Sequence, residues 1–385
     1  MFNSCYGLTS ITIPKSISYI GEQAFLNCEN ITSIVIPDSV KEIGEQAFYG
    51  CEGLQEIIIP DSVTLIGNGA FYNCINLKKV RLSNSINALS KEMFRQCSDL
   101  SDIVIPNNIK VIDDKAFYHC NDLKEIQIPD SITNIGIDAF ENCIHLESTN
   151  VDENNNHYKS IDGVLFNKTG TELIYYPANK KNSEYIIPDS VTHINDYALR
   201  DCYMDYIRIP KNLTSIGENV FPWPIKGILV DKENSNYMDI DGILYNKSGT
   251  ELIRYVGKES TYTIPNGVTK IGDYAFADVG YIKSVEIPTS VTSIGYRAFY
   301  RASKFSSGVE GQYLCLTIPE SVIKIEREAF REANISDVII LNSETSIGVD
   351  AFLWCDDINF KLYAKDPSTT KQYAQYNEIK FIKID

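Results

Sequence analysis

The strongest constraint on this 385-residue chain is a period of 23 residues. The string I-x-I-P ends at Pro14, Pro37, Pro60, Pro106 and Pro129, with Ser83 in the one slot between. After each proline come V/I at +3, I at +6, G at +7 (Asp113 after Pro106), A-F at +10 and +11, and Cys at +14. Such a repeat cannot bury its apolar residues alone. Copies must stack so that like residues form continuous internal columns. The core then grows along one axis, and the length of the chain does not force it into several globules. A stacked array presents a long surface, which makes binding the default expectation and catalysis the special case.

Within one repeat, Ser33-Ile34-Val35-Ile36 reads as a strand with Ile34 and Ile36 inward and Val35 outward. Pro37 ends it. Val40 and Ile43 make a second apolar step, and Glu45 to Cys51 reads as a helical turn burying Ala47 and Phe48. Gly21, Gly44, Gly67, Gly136, Gly217, Gly272, Gly295 and Gly348 form a column where a positive-φ bend is expected. The Phe column runs from Phe2 to Phe140, then Leu199, Phe221, Phe276, Phe299, Phe330 and Phe352. Fourteen strand-bearing coils follow from this count, arranged as a leucine-rich-repeat solenoid with a parallel sheet on one face. The expected class is α/β, a strand-rich right-handed superhelix with two β-hairpin insertions and a C-terminal cap. Residues 1–362 form one continuous array on this reading, and 363–385 form a helix-strand cap with Ser368 as N-cap.

Two insertions, at about 153–184 and 232–261, share the pattern I-D-G-V/I-L-F/Y-N-K-T/S-G-T-E-L-I at an offset of 79 residues. Each reads as a β-hairpin around the N-K-T/S-G turn. A third, unrelated insertion at about 301–312 reads as a loop. Met1-Phe2-Asn3-Ser4-Cys5 matches the tail of a coil whose strand is missing, so the chain reads as a fragment or a trimmed or mis-started sequence. No signal peptide is visible in it.

The unit Ile34-Val35-Ile36-Pro37-Asp38-Ser39-Val40-Lys41-Glu42-Ile43-Gly44-Glu45-Gln46-Ala47-Phe48-Tyr49-Gly50-Cys51 resembles the BspA-like (Treponema-type) leucine-rich repeats. The likeness covers almost the whole chain, including the D-G-V/I-L-F/Y-N-K insertions and the S-T-T-K-Q-Y-A ending. It implies a bacterial cell-surface or secreted protein acting in adhesion, with host matrix or surface proteins as partners. The family motif marks the scaffold and carries over no binding residues. Leu199, Leu341 and Glu344 depart from it.

Net charge is −16, which argues against nucleic acid as a partner. No apolar run has the length of a membrane span, so direct membrane insertion is not expected. Nine of ten cysteines sit three residues after the Phe column, one per coil. That spacing suits a stacked column of small buried side chains better than a zinc site or disulfide ladder. Cys315 falls on an outward strand position. The four histidines show no metal-ligand spacing, and no nucleophile stands out. Asp239-Ile240-Asp241-Gly242 has a calcium-loop look, weighed against a hairpin turn. The expectation is therefore no catalytic residue, no metal and no cofactor.

The candidate binding residues lie on the outward strand columns expected to line a concave face: Glu56, Lys79, Arg81, Asp102, Glu125, Gln127, Tyr206 and Arg208. They vary where the inward columns do not, and mixed apolar, aromatic and charged groups suit a protein partner. Tyr49, Tyr72, Tyr118 and Tyr300 are expected on the convex side. The leading reading is a monomeric, non-catalytic adhesion module. The alternative is a structural spacer that holds another domain away from a surface.

Overall fold

In a computed structural model the structure describes residues 2–303, 313–355 and 360–385. The expected loop insertion falls mostly on 304–312, outside the described residues. The chain forms two compact units, Met1–Lys181 with His193–Tyr203, and Asn182–Thr192 with Met204–Asp385. The fold is a strand-rich solenoid of parallel sheets, with one helix, Thr369–Tyr376, among the described residues.

Each regular coil has three sides. The first is a strand such as Ser10–Thr12 or Ser33–Val35, paired in parallel with its neighbour at Ser10↔Ser33, Ile11↔Ile34 and Thr12↔Val35. The offset of 23 is the sequence period read as register. The second is a two-residue strand, with Ile20, Ile43 and Ile66 in one column. Among the described residues, strands of the first kind number seven in each unit, and in the second unit Lys361–Ala364 and Lys380–Lys383 extend the sheet by two.

The third side departs from expectation, because Glu45 to Cys51 is a run of tight turns and contains no helix. The N–H groups of Ala47, Tyr49 and Cys51 donate to Gly44, Gln46 and Phe48 three residues back. Those of Gln46, Phe48 and Gly50 donate to Asn68, Ala70 and Tyr72 in the next coil. Alternate residues thus serve the coil itself and the stack, which gives these backbone N–H groups acceptors without a helix. The arrangement needs two left-handed residues per coil, Gln46 (φ 52°) and Gly50 (φ 68°) here.

The glycine column is not left-handed, contrary to the expected positive-φ bend. A Cβ on Gly67 would lie 2.4 Å from the backbone nitrogen of Glu45, and one on Gly44 would lie 2.5 Å from that of Glu22. Glycine stands there because successive coils touch through their backbones.

Inside the first unit, Phe2, Phe25, Phe48, Phe71, Phe94, Phe117 and Phe140 stack at 5.3–5.8 Å, nearly parallel. In the second, Tyr255, Phe276, Phe299, Phe330 and Phe352 stack at 4.8–5.0 Å. The cysteines lie beside these stacks. Each thiol of Cys51, Cys74, Cys97, Cys120 and Cys143 donates to the Phe carbonyl of the preceding coil, at 3.1–3.2 Å. Burial pushes these thiols above the ordinary thiol range. None of the ten cysteines is in a disulfide, and Cys315 is exposed.

The insertions hold one strand more than the expected hairpin. Tyr158–Ile161, Val164–Asn167 and Glu172–Tyr175 form an antiparallel meander, and Glu172–Tyr175 then pairs in parallel with His193–Ile194. The second unit repeats this with Tyr237–Ile240, Ile243–Asn246 and Glu251–Arg254, the last pairing with Lys270–Ile271. The Asp162-Gly163 and Asp241-Gly242 turns have both residues left-handed, as a two-residue hairpin requires. Asp239 does not point at a cation site, since its carboxylate accepts the Val230 N–H at 2.8 Å. Tyr176 and Tyr255 donate backbone N–H groups to Ala198 and Ala275, the bond a Phe-column residue makes. The meander tails are therefore coil halves, shortened by two residues between the Ile and Phe columns.

That shortening leaves gaps on the turn side, closed differently in each unit. In the first, the Asn142 N–H meets the Asp201 carboxylate at 2.7 Å, and Arg200 holds Glu141 at 3.0 Å. In the second, buried Arg254 donates to the carbonyls of Tyr274, Ala277 and Phe221. At the chain end the Ser368 hydroxyl caps the helix by accepting the Lys371 N–H at 3.1 Å. Tyr373 on that helix accepts the Phe352 N–H at 3.3 Å, a bond that Ala351 accepts from Phe330 one coil earlier.

Candidate functional site

Strand alternation decides which side chains are free to act. In Glu56–Ile58 and Lys79–Arg81 the central residue is buried and both flanking residues face out. In-register pairing places Glu56, Lys79 and Asp102 in one column and Ile58 beside Arg81. Lys79 Nζ lies 3.4 Å from the Asp102 carboxylate. Arg81 turns toward Asp61 in the turn of the preceding coil, at 3.8 Å. Asp61 is itself fixed by the backbone and side-chain amides of Asn84, which with Arg81 lower its pKa. Glu125 and Gln127 stand in register with Ser148 and Asn150. The first unit thus brings Glu56, Lys79, Arg81 and Asp102 together on one sheet and holds Glu125 and Gln127 on another.

Tyr206 and Arg208 share a face in the second unit. The Tyr206 ring lies against Gly227, where an added Cβ would sit 3.3 Å from the ring. Arg208 Nε donates to Glu184 at 2.6 Å. Arg208 also lines a shallow hollow of about 150 Å³ with Ile186, Leu229, Asp189 and Asp231. A larger hollow on this unit's strand face, about 440 Å³, has Ser284, Glu286, Cys315, Thr317, Asp337 and Ile339 on its walls.

Sequence reasoning placed aliphatics in the same outward columns but did not count them among its candidate residues. Val35 is 75% exposed, Val104 72% and Ile186 64%. A β-branched residue at an outward strand position was the available signal. It also did not foresee Asp61 and Glu184 as partners of the two arginines, because neither contact is local in sequence. The tyrosines after the Phe column form a separate group on the turn side, with Arg95 4.9 Å from the Tyr72 ring and 5.1 Å from Tyr118.

The most perturbed carboxyl is elsewhere. Burial, reinforced by the charge of Asp138, raises Glu141 to about 7, with Arg200 opposing the shift. The hollow beside it is about 40 Å³, room for a water and too small for a substrate. His145 Nδ1 lies 3.3 Å from Asp122, and burial lowers the pKa of His119. Among the described residues no three of His, Cys, Asp and Glu converge as a metal site would require. Among the same residues no helix is long and apolar enough to cross a membrane.

Comparison with known proteins completes the description. The BspA type leucine rich repeat region matches over residues 1–123, 174–223 and 254–378, in six copies. A leucine rich cell surface protein from Faecalibacterium prausnitzii superposes with a TM-score of 0.54 at 24% identity, covering 97% of this chain and 82% of its own. A leucine-rich repeat protein from Eubacterium ventriosum gives 0.55 at 22% identity, covering 85% and 89%. No curated protein matches the chain at a significant level. The matched segments leave out most of both meanders and the coil from Pro129 to Cys143, and they hold most of the repeated Pro, Phe and Cys columns whose geometry is described above. The chain belongs to the BspA-type leucine-rich repeat family.

Proposed function

We propose that this chain is a non-catalytic, extracellular protein-binding module that adheres to its partner through the outward strand faces. The observation that carries the reading is the contrast between columns. Inward positions repeat Ile, Val and Phe, whereas outward ones change from coil to coil among Glu, Lys, Arg, Tyr, Val and Gln. A scaffold needs the first pattern and recognition uses the second. Tyr206 with Arg208, and Lys79 with Arg81, are the residue types that carry most binding energy at protein interfaces or set its charge pattern. The cell-surface location of the Faecalibacterium protein is extended here to this chain.

Surface plasmon resonance against a panel of matrix proteins and mucins tests this. The expected result is saturable binding to at least one member, weakened at least tenfold by Tyr206→Ala with Arg208→Ala or by Lys79→Ala with Arg81→Ala. Unchanged far-UV circular dichroism would exclude unfolding as the cause. Silence across the whole panel would favour the spacer reading instead. Binding indifferent to both double variants would move the site off the strand faces.

A further inference from the structure

We infer that Asn266 is a site of spontaneous modification, losing its side-chain amide to become aspartate or isoaspartate, while the fold protects Asn68 in the same dipeptide. Asn-Gly occurs twice in the chain, at Asn68-Gly69 and Asn266-Gly267. The reaction needs the nitrogen of the following residue to reach the asparagine Cγ. A side chain on that residue crowds the approach, and glycine has none. The peptide unit between them must also turn, and its N–H must give its proton to solvent. The two pairs differ in both respects.

Pro265-Asn266-Gly267-Val268 is a tight turn in which the Val268 N–H donates to the Pro265 carbonyl at 3.2 Å and Gly267 is left-handed, with φ 104°. Asn266 and Gly267 are both exposed, and a Cβ added at Gly267 would have nothing within 4 Å. The Gly267 N–H donates to the Ser290 hydroxyl at 3.2 Å, a surface bond that water can replace. Asn68-Gly69 is instead held on both edges of its peptide. The Asn68 carbonyl accepts the Gln46 N–H of the coil before at 2.9 Å, and the Gly69 N–H donates to the Lys91 carbonyl of the coil after at 2.8 Å. Gly69 is also buried. Closing a ring there would break a bond to each neighbouring coil.

At Asn266 the Gly267 nitrogen gives its proton to hydroxide and bonds to Cγ. The Cγ–Nδ2 bond breaks, and the departing nitrogen takes a proton from water and leaves as ammonia. Water then opens the cyclic imide at either carbonyl, giving aspartate or isoaspartate and one added negative charge. The aspartate form carries the residue that Asp38, Asp61, Asp130 and Asp189 provide at this turn in other coils. The isoaspartate form puts one extra backbone carbon between Pro265 and Val268, the two residues whose bond closes the turn.

The test is incubation of the whole chain in mildly alkaline buffer at body temperature, followed by peptide mapping with mass spectrometry. The peptide holding Asn266 is expected to gain one mass unit at least tenfold faster than the peptide holding Asn68. In urea the two rates are expected to converge within threefold, because only the fold separates them. Gly267→Ser gives this turn the serine of Ser39, Ser62 and Ser131, and is expected to slow the conversion at least fivefold. Asn266→Gln is expected to remove the fast increment from the mass of the intact chain. Equal rates at Asn266 and Asn68 in the native chain would overturn the inference. A tenfold difference that persists in urea would trace it to local sequence and not to the fold, and the inference would fail. A rate unchanged by Gly267→Ser, with native circular dichroism, would also overturn it.

Discussion

At the residue scale, a repeated glycine reports on its neighbour as much as on itself. Gly67 has ordinary φ, yet its missing side chain lets the Glu45 nitrogen approach to where a Cβ would stand 2.4 Å away. Gly21 fills the same column with no atom nearer than 3.9 Å. Gly67→Ala is therefore expected to cost about 1–3 kcal/mol, as overpacking does. Gly21→Ala is expected to be near neutral, and urea unfolding of the two variants makes the comparison. The sequence showed which residue recurs but not why, because the reason lies on the backbone of another coil. The inward Ile, Phe and Cys columns were readable for the opposite reason: their burial depends on a period visible in the chain. Outward residues repeat nothing, so Tyr206 could be named as a candidate while its seat against Gly227 could not.

At the element scale, the A-F-x-x-C spacing fits one turn of helix and also fits consecutive tight turns. Only the bonds to the next coil decide between them, and those are invisible in a single repeat. The meanders were half legible. Asp-Gly marks a hairpin, but the coil half behind it was hidden because Leu173 and Tyr176 stand two residues closer than Ile43 and Phe48. The gap left by that shortening has a pH signature. Glu141 carries a carboxyl raised from 4.5 to about 7 by burial and by Asp138. The folded chain then binds a proton that the unfolded chain releases. This group favours folding below about pH 4.5 to 7 and progressively opposes it as pH rises through that window. The melting temperature is expected to fall between pH 5.5 and 7.5, and Glu141→Gln should flatten that slope. A slope equally steep in the variant would assign it to other groups.

At the scale of the whole molecule, ten thiols outside any disulfide make a sensitive report of packing. Seven are buried, and burial raises the pKa of those in the column, so they are poor nucleophiles. Ellman's reagent is expected to label Cys315 first in the native chain, with Cys5 and Cys355 slower, and the buried seven only on unfolding. Cys315→Ser should remove the fast phase and nothing else. Rapid labelling of the buried set would mean that the coils open far more easily than their ladders of bonds imply.

The alternation of bonds along the turn side has a consequence for how such a chain can change. Every second amide is committed to a partner one period away, so a lone inserted or deleted residue there misplaces a whole row of donors. Adding or removing 23 residues together restores every partner. Near-identical tandem DNA copies recombine in that unit, so relatives of this protein should differ in length by complete rungs. Odd-sized differences should fall where a side chain such as Asp201 or Arg254 has taken over the job of the backbone.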